Sequence, residues 1–240
     1  MDIQLFIPCY IDQLYPTTAF NTVKILEKAG CKAHYNSQQT CCGQPAFNSG
    51  YWDEASSLAE KFLSDFDSSS PIVTPSGSCS GFVINHYQKI LAKNPLLISK
   101  HEAIKNNFFE LTDFLVNVLK LENLGASFEH KVTFHDSCSA LREYGIKDEP
   151  RILLNNVKGL ELIEMEECDT CCGFGGTFSV KNTAISTAMT ANKVRNAMEA
   201  GVEYIISTEA SCLMNINSYV SKNKLAIKGI HIADILANGY

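Results

Sequence analysis

Cys41-Cys42-Gly43 and Cys171-Cys172-Gly173 are two copies of one short motif, a vicinal cysteine pair followed by glycine, in a chain of 240 residues. Each copy is framed by further cysteines at nearly matching distances. Cys9 lies 32 positions before Cys41, and Cys138 lies 33 before Cys171. Cys79 follows Cys42 by 37 positions, and Cys212 follows Cys172 by 40. Eight of the ten cysteines therefore fall into two matching quartets, which thiols scattered through a core would not do. Thiols brought from distant loops to one point usually hold a metal. The pattern predicts a metal-binding unit that was duplicated, with one domain at 1–124 and a second at 125–240.

Outward from the motifs, strand and helix signals alternate. Ile3 to Ile7 is an apolar run stopped by Pro8, and Pro16 to Ala29 carries a helical period ended by Gly30. Cys31 to Tyr35 is a second strand, Trp52 to Phe66 a helix, and Ile72 to Thr74 a strand before the helix signal at Ser76-Gly77-Ser78. The second half repeats the order. It has strands at Val132–Phe134, Leu160–Ile163 and Tyr204–Ser207, and helices starting at Pro150 and at Ala184. Both halves finish alike, Leu111-Thr112-Asp113-Phe114-Leu115-Val116-Asn117 resembling Ile232-Ala233-Asp234-Ile235-Leu236-Ala237-Asn238. Such alternation calls for an α/β fold of two similar halves. Each would be a small parallel sheet with flanking helices, the two related by a pseudo-two-fold axis.

Composition narrows the function classes. A hydrophobic fraction of 45% with 19% charged residues describes an ordinary globular chain with enough apolar surface for a core. A net charge of -6 and no Lys/Arg-rich run argue against a nucleic-acid partner or an anionic membrane surface. No apolar stretch approaches a membrane span, so no direct membrane insertion is expected. The start lacks the basic region and long apolar core of a signal peptide, which points to the cytoplasm. There, thiols serve metals or redox chemistry more often than structural disulfides.

The vicinal pair bears on which metal. Neighbouring side chains diverge, so adjacent cysteines suit a cluster, whose atoms each can meet separately, better than one tetrahedral ion. Gly43 and Gly173 let the backbone approach and aim amides at the sulfurs. Cys9, Cys41, Cys42 and Cys79 form the first candidate set, and Cys138, Cys171, Cys172 and Cys212 the second. An iron-sulfur cluster is the leading expectation; zinc in one or both sets, or thiol-disulfide chemistry through the pairs, stays open. Cys79 and Cys212 fall near predicted helix N-termini, where amides and the helix dipole favour thiolates. Both centres are expected near the interface between the halves.

Ile7-Pro8-Cys9-Tyr10, Thr40-Cys41-Cys42-Gly43-Gln44-Pro45, Phe134-His135-Asp136-Ser137-Cys138 and Cys171-Cys172-Gly173-Phe174-Gly175-Gly176 resemble the CCG, or cysteine-rich, domain family. That family includes a component of heterodisulfide reductase and the iron-sulfur component of glycolate oxidase. Within it the chain most resembles the lactate utilization protein A family, end to end. The resemblance implies 4Fe-4S-type centres and a cytoplasmic subunit passing electrons during NAD-independent oxidation of L-lactate to pyruvate. It also implies two partner subunits, one of them ferredoxin-like. The heterodisulfide reductase relatives end each set in Cys-x-x-Cys. Here Phe82 and Asn215 stand in the last position, leaving four cysteines per set.

A few residues outside the quartets have competing readings. His135 and Asp136 end a strand beside Cys138; capping is the common role, a proton relay or substrate contact the sharper one. Arg142 and Lys181 carry the charge to bind a carboxylate, although a solvated surface position is the commoner fate. Cys31 reads as a core residue. Cys168 forms Cys-x-x-Cys with Cys171 and reads as a bystander before a substitute ligand. Phe174-Gly175-Gly176 lacks nucleotide-loop spacing and reads as tight packing around the second centre.

Overall fold

The computed structural model describes residues 1–239. Its first half runs β1 (Asp2–Leu5), α1 (Cys9–Leu14), α2 (Pro16–Lys28), β2 (Lys32–Tyr35), α3 (Gln44–Asn48), α4 (Trp52–Asp65), β3 (Ile72–Thr74), α5 (Gly77–Ile90), α6 (Pro95–Lys105), β4 (Phe108–Glu110) and α7 (Leu111–Asp113), followed by a π-helical turn at Phe114–Val118. The second half runs β5 (Lys131–Phe134), a π-helical turn at Ala140–Tyr144, α8 (Asp148–Asn155), β6 (Glu161–Leu162), α9 (Phe178–Lys181), α10 (Thr183–Glu199), β7 (Tyr204–Ser207), α11 (Ala210–Lys222), β8 (Lys228–His231) and α12 (Ile232–Leu236).

Among the described residues the strands form two four-stranded sheets, ordered β2-β1-β3-β4 and β6-β5-β7-β8. Every pairing is parallel, with Ile3 opposite Ala33 and Thr133 opposite Ile205. The two orders are the same order, so the duplicated cysteine spacing reflects a duplicated topology. β3 is buried along its length, as a strand covered on both faces should be. α2 starts with Pro16 at its first position and buries Thr18, Thr22, Ile25 and Leu26, a stripe at helical spacing. The outer strands β4 and β8 and the helix α6 carry no readable signal. Phe108-Phe109-Glu110 and Lys228-Gly229-Ile230-His231 are too short and mixed to show a period.

The halves are bound into one body by a core that ignores the repeat. Ile3, Leu5 and Val73 belong to the same buried cluster as Val132, Phe134, Ile206, Ile232 and Leu236. The similar closing segments explain part of this: each reaches the other half. Asp113 accepts from Tyr144 Oη at 2.5 Å, and Asp234 accepts from Thr18 at 2.9 Å and Asn21 at 2.8 Å. A second seam lies between α5 and the π-helical turn that follows Cys138. A Cβ on Gly77 would stand 2.5 Å from Ala140 Cβ, and one on Gly81 would stand 2.9 Å from Glu143 Cβ. Small residues at these two positions let the halves close up next to the cysteines. Among the described residues no helix is long and apolar enough to cross a membrane.

Candidate metal centre

Each cysteine sits where a strand or loop hands over to a helix. Cys9 opens α1 directly after β1, while Cys79 and Cys212 lie in the first turns of α5 and α11. Ser76 caps α5 by accepting from the amide of Cys79 at 3.3 Å. Cys41 and Cys42 occupy the loop between β2 and α3, and Gly43 closes it at φ 93°, a left-handed conformation that favours glycine. Gly173 repeats this at φ 88°, where a Cβ would come 2.6 Å from the Ser186 carbonyl oxygen. The glycine of the motif is therefore needed twice over, for its torsion and for the close approach to α10.

These placements bring all eight cysteines of the two sets to the wall of one cleft between the halves, with a cavity volume of about 120 Å³. Cys9 Sγ lies 3.6 Å from Cys41 Sγ, and Cys42 Sγ lies 3.5 Å from Cys79 Sγ. In the second half the matching pairs, Cys138 with Cys171 and Cys172 with Cys212, are close enough to shift one another's protonation. The amides of Gly43 and Gly173 each donate to the sulfur two residues earlier, Cys41 and Cys171, at 3.4 Å. All ten cysteines are free thiols.

Charge on the sulfurs follows from these contacts. Hydrogen bonds from the Cys42 and Cys9 thiols, together with the Gly43 amide, hold Cys41 down to about 3. Cys171 is held to about 2 by Cys138 and Cys172, and Cys212 to about 5 by Cys172. Their partners Cys9, Cys42, Cys138 and Cys172 are pushed up, because each shares its proton with a neighbouring sulfur. Protons shared among packed sulfurs are what a soft metal displaces on binding. The donor set thus fits thiolate-bound metal. Sulfurs 3.5 and 3.6 Å apart also approach the ~3.8 Å edge of a tetrahedron with ~2.3 Å metal–sulfur bonds.

The other candidates separate cleanly. His135 is fully buried, and one of its ring nitrogens lies within 4.8 Å of the sulfurs of Cys172 and Cys212. Asp136 is also buried, but both its oxygens are taken by Arg151, at 2.9 and 2.8 Å, and Arg151 also binds Glu164. It works as an internal anchor. Arg142 and Lys181 are exposed, and neither lines the cleft. Cys31 is buried in the shared core. Cys168 stays outside the cleft, and its carbonyl accepts from the Asp136 amide at 3.1 Å. Phe82 is buried and stacks on His86, whereas Asn215 donates to the Cys172 carbonyl at 3.1 Å. Phe174, Gly175 and Gly176 do line the cleft, Phe174 meeting Tyr10 of the first half edge-on at 5.7 Å.

Glu209 escapes the sequence reading. This buried carboxylate precedes Cys212 as Ser76 precedes Cys79, yet it leaves its own helix uncapped. It crosses to the first half and accepts from the Ser78 amide at 2.5 Å and the Ser78 hydroxyl at 2.7 Å. Burial pushes it up to about 8. The repeat frame marks the position as equivalent to a helix cap; only the fold shows which helix it caps. Lys193, buried beside the second set with its ammonium on the Glu167 carbonyl, likewise gives no signal in sequence.

Comparison with known proteins agrees with the geometry. The CCG family, described as a cysteine-rich domain, matches residues 3–83 and again 132–217. Lactate utilization protein A of Geobacillus sp. (strain WCH70) is 41% identical over 98% of this chain and 99% of its own length. The same protein of Bacillus pumilus (strain SAFR-032) is 39% identical over 98% and 99%. The uncharacterized protein YkgE of Escherichia coli (strain K12) is 41% identical, again over 98% and 99%. In three dimensions, a hypothetical protein from Helicobacter pylori superposes with a TM-score of 0.64 at 14% identity. This chain is covered to 98% but spans about half, 48%, of that structure, so the likeness speaks for the fold alone.

Proposed function

This chain belongs to the cysteine-rich CCG domain family and to the family of lactate utilization protein A within it. From that premise we propose that it is an iron-sulfur electron-transfer subunit of a cytoplasmic system oxidising L-lactate to pyruvate. The observation that carries the reading is the convergence of eight thiols, four from each repeat, on one cleft between the halves. In this reading Cys9, Cys41, Cys42 and Cys79 hold the first centre and Cys138, Cys171, Cys172 and Cys212 the second, in units 1–124 and 125–240. Bound clusters, of 4Fe-4S type, would take up and release single electrons.

The rest is work done by the chain's own groups. The Gly43 and Gly173 amides donate to Cys41 and Cys171 and favour their thiolate forms. Cys79 and Cys212 stand in the first turns of α5 and α11, where the positive end of a helix dipole lies beside each set. Gly77 and Gly81 close the seam that keeps the two sets on one cleft. Two further lactate-utilization subunits, one ferredoxin-like, would deliver and remove electrons.

One observation favours a second reading. Sulfur pairs at 3.5 and 3.6 Å suit a single tetrahedral ion, so zinc in one or both sets would make the chain a metal-braced scaffold for its partners. Oxygen-free purification separates the two. The electron-carrier reading expects brown protein with iron and acid-labile sulfide, whose visible absorption bleaches when L-lactate is added with the partner subunits. Colourless protein with stoichiometric zinc would overturn it.

A further inference from the structure

The two candidate centres are not chemically alike, and the difference begins three residues before the first cysteine of each set. In the first half that residue is Phe6, fully buried among Phe62, Phe66 and Phe108. In the second it is His135, equally buried. Its backbone is pinned on both sides, the amide donating to the Ile206 carbonyl at 2.7 Å and the carbonyl accepting from Ser207 Oγ at 3.1 Å.

Two contacts define its chemistry. Nδ1 lies 3.3 Å from the Cys168 carbonyl oxygen, which can only accept, so Nδ1 carries the proton. Nε2 of the neutral ring is then a bare lone pair. It is buried and has no hydrogen-bond partner among the described residues. A buried acceptor left without a partner is costly and rare in a native fold. The nearby groups able to use it are the sulfurs of Cys172 and Cys212, with which a ring nitrogen shares a 4.8 Å cluster. Histidine bound to a metal through one nitrogen characteristically donates its other N–H to a backbone carbonyl, and this is the arrangement found here.

We propose that His135 is a nitrogen ligand of the second metal centre, bound through Nε2 beside Cys172 and Cys212, while the first centre is held by sulfur alone. The proposal rests on the metal-binding reading above but holds for either metal. With the four cysteines, His135 gives the second set five donors of mixed softness. A neutral imidazole adds a donor without adding negative charge, so the two centres would differ in reduction potential.

The test is X-ray absorption at the metal edge of the whole chain, purified without oxygen, beside the same chain reconstituted with zinc alone. The metal shell should contain nitrogen as well as sulfur in the wild type, and His135→Phe should convert it to sulfur alone. Pulsed electron paramagnetic resonance on reduced iron protein labelled with 15N-histidine should show one strongly coupled nitrogen. That arm needs no variant, so misfolding of His135→Phe would not remove the test. A sulfur-only shell in metal-loaded wild type, or only weak 15N couplings, would overturn the assignment of His135 while leaving metal binding intact. A chain that retains no metal in either preparation would overturn both.

Discussion

Set side by side, the two halves share a strand order and a cysteine frame but line their sulfurs differently, with aromatic rings in the first and with aliphatic side chains and hydrogen-bonding groups in the second. Around the first set stand Phe6, Phe62, Phe66 and Tyr87, with Phe82 at the position three after Cys79. Around the second, the equivalents of Phe6 and Phe82 are His135 and Asn215. The Cys172 carbonyl accepts from both Thr190 at 2.8 Å and Asn215 at 3.1 Å, where the Cys42 carbonyl accepts from Tyr87 Oη at 2.8 Å. The backbone of the duplicated unit thus places thiols, and the residues between them decide what the thiols experience. An apolar shell disfavours added charge, whereas hydrogen bonds and a nearby cation favour it. Duplication followed by divergence of the lining would yield two centres of unequal affinity for an electron.

The sharpest way to break this comparison is to empty one half at a time. Cys42→Ser should cost the first centre its metal, by at least about tenfold in occupancy, and leave the second loaded; Cys172→Ser should do the reverse. Metal-to-protein ratios measured on both variants check this, and loss of all metal from either one would mean the sets act as a single site. A smaller effect separates the linings themselves. Phe82→Ala removes a buried aromatic and should cost about 3–5 kcal/mol of stability. Asn215→Ala, which removes two hydrogen bonds from a half-buried side chain, should cost about 1–3 kcal/mol. Equal costs in denaturant titration would contradict the claim that Phe82 acts by packing and Asn215 by hydrogen bonding.

The seam between the halves offers the third test. Gly77→Ala puts a methyl 2.5 Å from Ala140 Cβ, so it should destabilise by about 1–3 kcal/mol although alanine is the better helix residue. Ala210 already carries a Cβ at the equivalent point of the second half, so the sign of the Gly77 change reports the close contact directly. The last test concerns the buried caps. Glu110 caps α7, its Oε1 has no hydrogen-bond partner among the described residues, and burial raises it from 4.5 to about 8. Between those values the native state keeps a proton that the unfolded chain releases. The stability that Glu110 contributes should therefore be fullest below about 4.5 and be lost as pH rises towards about 8, by roughly 1.4 kcal/mol per unit at its steepest. Glu209, raised to about 8 as well, adds a similar slope. Glu110→Gln keeps the acceptor for the Thr112 amide and should remove this contribution, so the stability difference between wild type and variant should shift across that pH window; a pH-independent difference would show that Glu110 is ionised in the fold.

Much of this was legible in sequence, and the reasons are physical. The cysteine frame and the paired closing segments are local patterns repeated at long range, so the α/β halves and the eight thiols emerge from spacing alone. Apolar runs such as Ile3–Ile7 and Ile72–Thr74 announce buried parallel strands. What stayed hidden depends on contacts between distant residues. Glu209 looks like a cap for its own helix and serves Ser78 in the other half. Asp136 reads as a strand-end cap or a relay group and is instead consumed by Arg151, fifteen positions on. The significance of His135 needs its ring direction, which Phe6 at the matching position hints at only by contrast. Short outer strands such as β4 lack the length to show a period.

Anomalous X-ray scattering from crystals grown and frozen without oxygen tests the central claim most directly. Two metal peaks in the cleft are predicted, one bounded by Cys9, Cys41, Cys42 and Cys79 and the other by Cys138, Cys171, Cys172 and Cys212. Density for a sulfur–sulfur bond between Cys9 and Cys41 or between Cys42 and Cys79, with no metal peak at either set, would contradict it.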